Sequence, residues 1–244
     1  MNTRFIPDPQ HLPMVTAAST QAVEDAITSR RSVRAYLDKP VPRALLERVL
    51  DLAARAPSGT NTQPWKVTVL TGATKEALSH KILAAFNDAQ ERARHSEAYD
   101  YYPSQWVSPY IDRRRKIGWD MYGLLGLTKE DKSGMHEQHG QNYRFFGAPV
   151  GLIFTIDKVL GQGSWLDYGM FLQTLMLAAR AHGLDTCPQA AFNQYHRIIL
   201  PHIGASGDEE LVCGMSLGWA DNTPPIAQLK TEREPMGRFT RFME

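Results

Sequence analysis

The sequence has little cysteine and almost no net charge, and each shortage excludes a class of protein. Its two cysteines, Cys187 and Cys213, are far apart in the chain, which argues against a disulfide framework or a cysteine zinc site and favours a reducing cytoplasm. Lys and Arg number 27 against 26 Asp and Glu, a net charge of +1. Such a balance creates no field to draw the chain onto nucleic acid or an anionic membrane, so we expect neither partner.

Long hydrophobic runs are also missing. The longest apolar stretch, residues 165–183, is interrupted by Asp167, Gln173 and Arg180, and a membrane span needs about 20 apolar residues without such breaks. Residues 1–14 carry charge and three prolines where a signal peptide would need an apolar core. We therefore expect a cytoplasmic protein with an extended N-terminal arm over residues 1–20.

The remaining chain, residues 21–244, shows no repeat and no linker, and predicts one domain of mixed helix and sheet. A variable segment near 85–142 is expected to form a lid or an interface. The helix over 165–182 is apolar on nearly every side, so it should cross the middle of the fold or lie beneath a second subunit. Sequence patterns predict helices at 21–30, 42–56, 73–94 (with a polar face), 107–123 and 165–182, and strands at 65–70, 149–156 and 211–217.

Two short segments carry side chains suited to binding. Arg30, Arg31, Ser32 and Arg34 cluster where the first predicted helix ends, and arginine forks with a hydroxyl match the oxygens of a phosphate. The loop at 57–64 displays amide and hydroxyl side chains, which carry the donors and acceptors that suit the edge of a flat heterocycle. Taken singly, each segment also has a plain explanation: cations complement a helix C-terminus, and Pro, Ser, Gly and Asn favour turns.

The two segments in this order resemble the flavin-binding signature of the nitroreductase family. The first reads Arg-Arg-Ser-Val-Arg at 30–34, and the second reads Ala-Pro-Ser-Gly-Thr-Asn-Thr-Gln-Pro-Trp at 56–65. The resemblance continues through Gly-Ala-Pro at 147–149, Gln-Thr-Leu at 173–175, Gly-Leu at 183–184 and Cys-Pro-Gln-Ala at 187–190. It ends with Gly-Trp-Ala at 218–220 and a basic tail, and so covers almost the whole chain from Ala22.

The resemblance implies an α+β fold of the nitroreductase type. Its central, mainly antiparallel mixed sheet would be surrounded by helices, and two chains would form an intertwined homodimer with one FMN at each of two subunit interfaces. In that arrangement a partner would cover part of the helix at 165–182.

The resemblance also implies roles for individual residues. Arg30, Ser32, Lys230 and Arg233 would hold the FMN phosphate, with Arg238 or Arg241 as alternatives to Arg233. Arg34 would stabilise the reduced flavin at its N1 and C2 carbonyl end, and Ser58, Asn61 and Gln63 would contact the ribityl chain and the pyrimidine edge. The full expected cofactor-binding set is Arg30, Arg31, Ser32, Arg34, Pro57, Ser58, Gly59, Asn61, Gln63, Pro188, Gln189, Ala190, Lys230 and Arg233.

The implied reaction passes hydride from NADH or NADPH through flavin N5 to a nitroaromatic or quinone by a ping-pong mechanism. No catalytic side chain is expected, because the chemistry takes place on the flavin. Aromatic side chains of the variable segment are candidates for stacking on substrate, or equally for packing a dimer: Tyr99, Tyr102, Trp106, Tyr110, Trp119 and Tyr122.

Other functions remain open. A reductive dehalogenase or an oxygen-using, flavin-cleaving enzyme would bind FMN in the same way, and a flavin-storing or redox-sensing protein would need no reaction. A metal site is not expected, because His136 and His139 are spaced three apart rather than four. Gly161-Gln162-Gly163 lacks the third glycine of a dinucleotide-binding fold.

Overall fold

A computed structural model describes residues 14–244. The first helix, α1 (Ala17–Ser29), begins with a capping box in which Thr16 and Ser19 each accept from the other's backbone N–H. Residues 17–20 of the expected arm therefore belong to α1, and residues 1–13 lie outside the described part of the chain. No helix of residues 14–244 combines the length and the apolar character needed to cross a bilayer.

Four antiparallel strands form one sheet in the order β1-β2-β4-β3. The strands are β1 (Lys66–Thr71), β2 (Val150–Asp157), β3 (Asp185–Gln189) and β4 (Glu209–Gly218). An isolated parallel bridge between Ser32 and Thr186 extends the pairing beyond β3. The expectation of a mainly antiparallel mixed sheet surrounded by helices is confirmed.

Helices cover both faces of the sheet. They are α2 (Arg43–Ala53), α3 (Gly72–Asn87), α4 (Ala89–Ala93), α5 (Tyr110–Leu124), α6 (Lys132–Gly140), α7 (Gln162–Ala181) and α8 (His196–His202). Short 3₁₀ segments lie at Gly59–Asn61, Gln141–Gly147, Ala190–Tyr195, Pro225–Gln228 and Met236–Arg238. β2 is buried along nearly its whole length, as expected for a strand with both faces covered.

Two apolar clusters flank the sheet. One contains Leu78, Ile82 and Phe86 of α3, and the other contains residues of α2 together with Phe171 and Leu175 of α7. The single helix predicted over 73–94 is wrong in its extent: α3 ends at Asn87, and the chain breaks at Asp88. The carboxylate of Asp88 accepts from two backbone N–H groups of α4 and so begins a new helix there.

α7 is not buried on every side within a single chain. Tyr168, Phe171 and Leu175 face the core, whereas Leu166 on the outer side is 72% exposed. α1 lies against α7 near the end of that helix, where Arg180 donates to Ser29 Oγ over 3.0 Å, and α1 has no buried residue. These two helices therefore present apolar side chains that the chain itself leaves uncovered.

Candidate flavin site

Segment 30–34 lies along the start of β3 in an extended conformation. The backbone N–H of Val33 donates to the carbonyl of Thr186 over 3.0 Å, and Ser32 forms the parallel bridge to the same residue. Alternate side chains of an extended segment point to opposite sides. Val33 points into the core, so Ser32 and Arg34 point the other way.

Cys187 directly follows Thr186, the residue with which segment 30–34 pairs. Burial raises its pKa, and the charge of Arg34, a hydrogen bond with Ser32 and the charge of Arg30 oppose that rise. Because the segment is extended and Val33 is buried, the side chains of Arg30, Ser32 and Arg34 share the side that faces away from the core. That donor set suits a phosphate dianion.

Arg31 points elsewhere and has intrachain partners. Its guanidinium donates to the carbonyl of Ala227 and, over 2.6 Å, to Asn222 Oδ1. The chain that follows β4 is thereby held beside α1. Arg31 is a sequence neighbour of Arg30 and was predicted to bind with Arg30 and Arg34. In the extended segment, however, its side chain points to the opposite side.

The loop at 57–64 has an unusual backbone. Thr60, Asn61 and Gln63 have φ values of +48°, +61° and +51°, in the left-handed region that non-glycine residues seldom adopt. Ser58 Oγ accepts from the backbone N–H of Gln63 over 3.0 Å and closes the loop. The side chains of Asn61 and Gln63 are exposed and available to a flat ligand.

The two predicted binding segments lie near opposite ends of α7. The loop contacts α7 at Asp167, whose Oδ2 accepts from the backbone N–H of Gly59 over 3.1 Å. Segment 30–34 follows Ser29, which binds Arg180. At 1.5 Å per residue, Asp167 and Arg180 are about 20 Å apart along the helix. Within one chain, these segments do not share a contact point on α7.

The predicted flavin-binding residues 188–190 lie at the end of β3 and the start of the 3₁₀ segment that follows it. Gln189 is buried: its Nε2 donates to the carbonyl of Asn142 over 2.7 Å, and its Oε1 accepts from Ser216 Oγ over 2.6 Å. Pro188 is exposed and Ala190 is half-buried. The side chain of Gln189 is therefore occupied within the chain and fixes the end of β3.

The C-terminal tail lies against α5. Glu234 pairs with Arg113 at 2.8 Å, and Glu232 pairs with Lys116 at 3.5 Å. Arg233, between these acids, donates to Thr231 Oγ1 over 2.7 Å. The remaining basic side chains named as phosphate ligands or alternatives, all exposed, are Lys230, Arg238 and Arg241.

The aromatic side chains of the variable segment form separate groups. Arg114 lies over the rings of Tyr102 and Trp106, at 5.2 and 4.7 Å from their centroids. Trp119 and Tyr122 form an edge contact at 6.0 Å on the same helix, α5. Tyr110, also on α5, is 58% exposed.

Tyr99 is attached to the body of the fold. Its hydroxyl donates to the carbonyl of Val212 over 2.5 Å, and its ring contacts Trp165 edge-on at 4.6 Å. Burial raises its pKa well above the usual value. These contacts indicate that Tyr99 anchors the variable segment to the body of the fold.

Sequence reasoning did not assign a role to Asp167 or to the surroundings of Cys187. The sequence did offer a signal for Asp167: it is a carboxylate in a mostly apolar helix, on the same helical face as Phe171. For Cys187 no local signal existed, because its cationic neighbours come from a distant segment.

A sequence model of the nitroreductase family matches residues 27–219. The chain therefore belongs to the nitroreductase family, as its motifs and antiparallel sheet had indicated.

Two named enzymes are similar over most of their length. A 4-nitrobenzoate reductase of Pseudomonas putida is 44% identical over 93% of this chain and 98% of that protein. A chloronitrobenzene nitroreductase of Comamonas testosteroni is 38% identical over 91% of this chain and 96% of that protein.

Among solved structures, the FMN- and NADPH-dependent nitroreductase NfnB from Sphigopyxis sp. strain HMH superposes with a TM-score of 0.87. It is 37% identical and covers 91% of this chain and 99% of its own. NfnB from Mycobacterium smegmatis, determined in complex with NADPH, gives a TM-score of 0.85 at 31% identity, over 92% of this chain and 99% of its own.

Proposed function

We propose that the protein is an FMN-dependent nitroreductase that oxidises NADH or NADPH and reduces small nitroaromatic compounds. The observation that carries the proposal is the pairing of segment 30–34 with the start of β3, which turns Ser32 and Arg34 away from the core, in a nitroreductase-family chain. Bound FMN supplies the capacity to accept a hydride from the nicotinamide and deliver it to the oxidant.

The chain's own residues bind and orient that group. Arg30 and Ser32 would hold the phosphate through charge-assisted hydrogen bonds. Arg34 would place a permanent positive charge beside the isoalloxazine ring, which favours electron uptake. Lys230 and Arg233 would complete the phosphate contacts. Both belong to the C-terminal tail, which Glu232 and Glu234 hold against α5.

A second copy of the chain would supply the loop at 57–64. Segment 30–34 and this loop contact α7 at points about 20 Å apart along the helix, which favours a site shared between two chains. A two-fold axis across the exposed faces of α1 and α7 would bring the loop of each protomer to segment 30–34 of the other. Val23 and Ile27 of α1, 59% and 52% exposed, would then be covered.

The substrate side of the site would be formed by the variable segment. Tyr102 and Trp106 offer flat surfaces for a nitroarene, and Arg114 between them offers a cation. A ring that bears both a nitro group and a carboxylate matches that combination. We therefore expect 4-nitrobenzoate, the substrate named for the Pseudomonas putida relative, to be among the compounds reduced. Tyr110, Trp119 and Tyr122 are further candidates for stacking.

Purified protein mixed with FMN tests the proposal. We expect a yellow complex that bleaches when NADH or NADPH is added anaerobically and recovers its colour with 4-nitrobenzoate. Arg30→Ala should weaken FMN binding by about 1.5–3 kcal/mol, the usual worth of a hydrogen bond to a charged group. Arg48→Ala, which removes an exposed arginine from α2, is the matched control and should leave FMN affinity unchanged.

Three outcomes would count against this reading. A wild-type protein that fails to retain FMN excludes the flavoenzyme altogether. One that retains FMN but does not oxidise either nicotinamide is a flavin-storing protein. Equal loss of affinity in the Arg30 and Arg48 variants removes the assigned phosphate contact.

A further inference from the structure

Within the described part of the chain, one hydrogen bond joins the loop at 57–64 to a distant element. Within residues 14–244, the hydrogen bonds of residues 57–63 otherwise join members of the loop itself. The exception is the backbone N–H of Gly59, which donates to Asp167 Oδ2 over 3.1 Å. One carboxylate on α7 therefore fixes the loop.

The backbone of that loop is strained at the residues whose side chains are proposed to contact the flavin. Thr60, Asn61 and Gln63 all have left-handed backbone conformations, and each such residue costs about 1–3 kcal/mol, less for Asn than for a β-branched residue. Conformations of this kind persist only where surrounding contacts impose them. Gly59 immediately precedes Thr60, so the contact with Asp167 is made at the point where the strained stretch begins.

Asp167 is well placed to act as a fixed acceptor. It is 8% exposed, and its neighbours on α7 hold the chain that follows the loop. Tyr168 accepts from the backbone N–H of Lys66 over 3.3 Å and donates to its carbonyl over 2.8 Å. The ring of Phe171 stacks on Trp65 with centroids 4.8 Å apart. Three side chains of one helix thus hold the loop and the start of β1.

We propose that Asp167 is a positioning residue for the flavin: its carboxylate holds Gly59 so that Asn61 and Gln63 present their amides to the isoalloxazine edge. The inference rests on the proposed FMN function. Asp167 itself does not touch the cofactor, and its role is to select one conformation of the loop before FMN arrives.

The test compares FMN dissociation constants and visible spectra of the bound flavin for wild type and three variants. Asp167→Ala removes the acceptor and should weaken FMN binding about tenfold to hundredfold, as loss of a hydrogen bond to a charged acceptor implies. Its bound flavin should have bands shifted towards those of free FMN. Asp167→Asn keeps an oxygen acceptor and should recover affinity to within about threefold of wild type. Asp157→Ala removes another carboxylate, which pairs with Lys66 at 2.6 Å outside the loop, and should behave as wild type.

The outcomes separate this inference from the proposed function. If wild type does not bind FMN, the proposed function fails. If wild type binds FMN and Asp167→Ala binds it equally well with the same spectrum, the positioning role is overturned. Equal weakening in Asp167→Asn and Asp167→Ala would also overturn it, because the acceptor oxygen would then not be what matters.

Discussion

The two cysteines show how surroundings, rather than residue type, determine behaviour. Cys213 lies in β4 within the apolar cluster beside α7, and burial raises the pKa of its thiol to about 12. Burial also raises the pKa of Cys187, but the charges of Arg34 and Arg30 oppose that rise. The sequence presents both as isolated cysteines, and only the pairing of segment 30–34 with β3 distinguishes them.

Cys213 should make the folded state sensitive to alkali. An unfolded thiol titrates near pH 8.5, so the stability gained by keeping Cys213 protonated is complete below that pH. It declines as pH rises towards the folded pKa of about 12. Urea unfolding between pH 8 and 11 should show that wild type loses roughly 1–3 kcal/mol more than Cys213→Ala. Parallel curves for the two proteins would contradict this assignment.

Elements with strong apolar patterns were predictable from sequence, and elements defined by distant partners were not. The strands at 149–156 and 211–217 and the helix at 165–182 match β2, β4 and α7 to within a few residues. β3 was missed because Asp-Thr-Cys-Pro-Gln shows neither alternation nor β-branched richness, and it is a strand through its pairing with β4. α8 was missed because it is short and contains Pro201.

The candidate site was likewise predictable only in part. The sequence motifs identified the loop at 57–64 and segment 30–34, because their residue types are distinctive. The partners of Arg31, Tyr99 and Gln189 depend on elements far away in the chain, so the sequence could not show which side chains are already occupied within the fold.

At the element scale, packing against β4 leaves no room for a methyl group at Gly214. A Cβ there would lie 2.3 Å from Cδ2 of the buried Phe192, so Gly214→Ala should destabilise the fold by about 1–3 kcal/mol through overpacking. Gly118→Ala in α5 is the matched control: its Cβ meets nothing within 4 Å, and removal of a helical glycine should stabilise by about 0.5–1 kcal/mol. Thermal unfolding of the two variants measures both effects, and equal melting temperatures would contradict the contact.

At the scale of the whole molecule, we propose that two chains rather than one form the site. The separation of the loop from segment 30–34 along α7, and the exposed apolar side chains of α1 and α7, both lead to this arrangement. Homodimers of this kind carry two equivalent sites related by a two-fold axis.

Mixing two inactive variants tests the shared site. Arg34→Ala and Asn61→Ala should each abolish FMN-dependent turnover as homodimers. If each site takes Arg34 from one chain and Asn61 from the other, a heterodimer contains one doubly altered site and one intact site. Co-refolded or co-expressed mixtures should then recover up to about a quarter of wild-type activity, since about half of random dimers are mixed and each has one working site. No recovery in a mixture shown to contain heterodimers would place both residues in the same chain's site.

The position of α7 between the two binding segments restricts how the protein can change during evolution. Each residue of an α-helix adds 100° of rotation and 1.5 Å of length. Inserting or deleting one residue between Asp167 and Arg180 would turn one end away from its contact while leaving the other in place. Loops elsewhere can lengthen freely, but this stretch of helix must keep its residue count, so related chains should show gaps around it and none inside it.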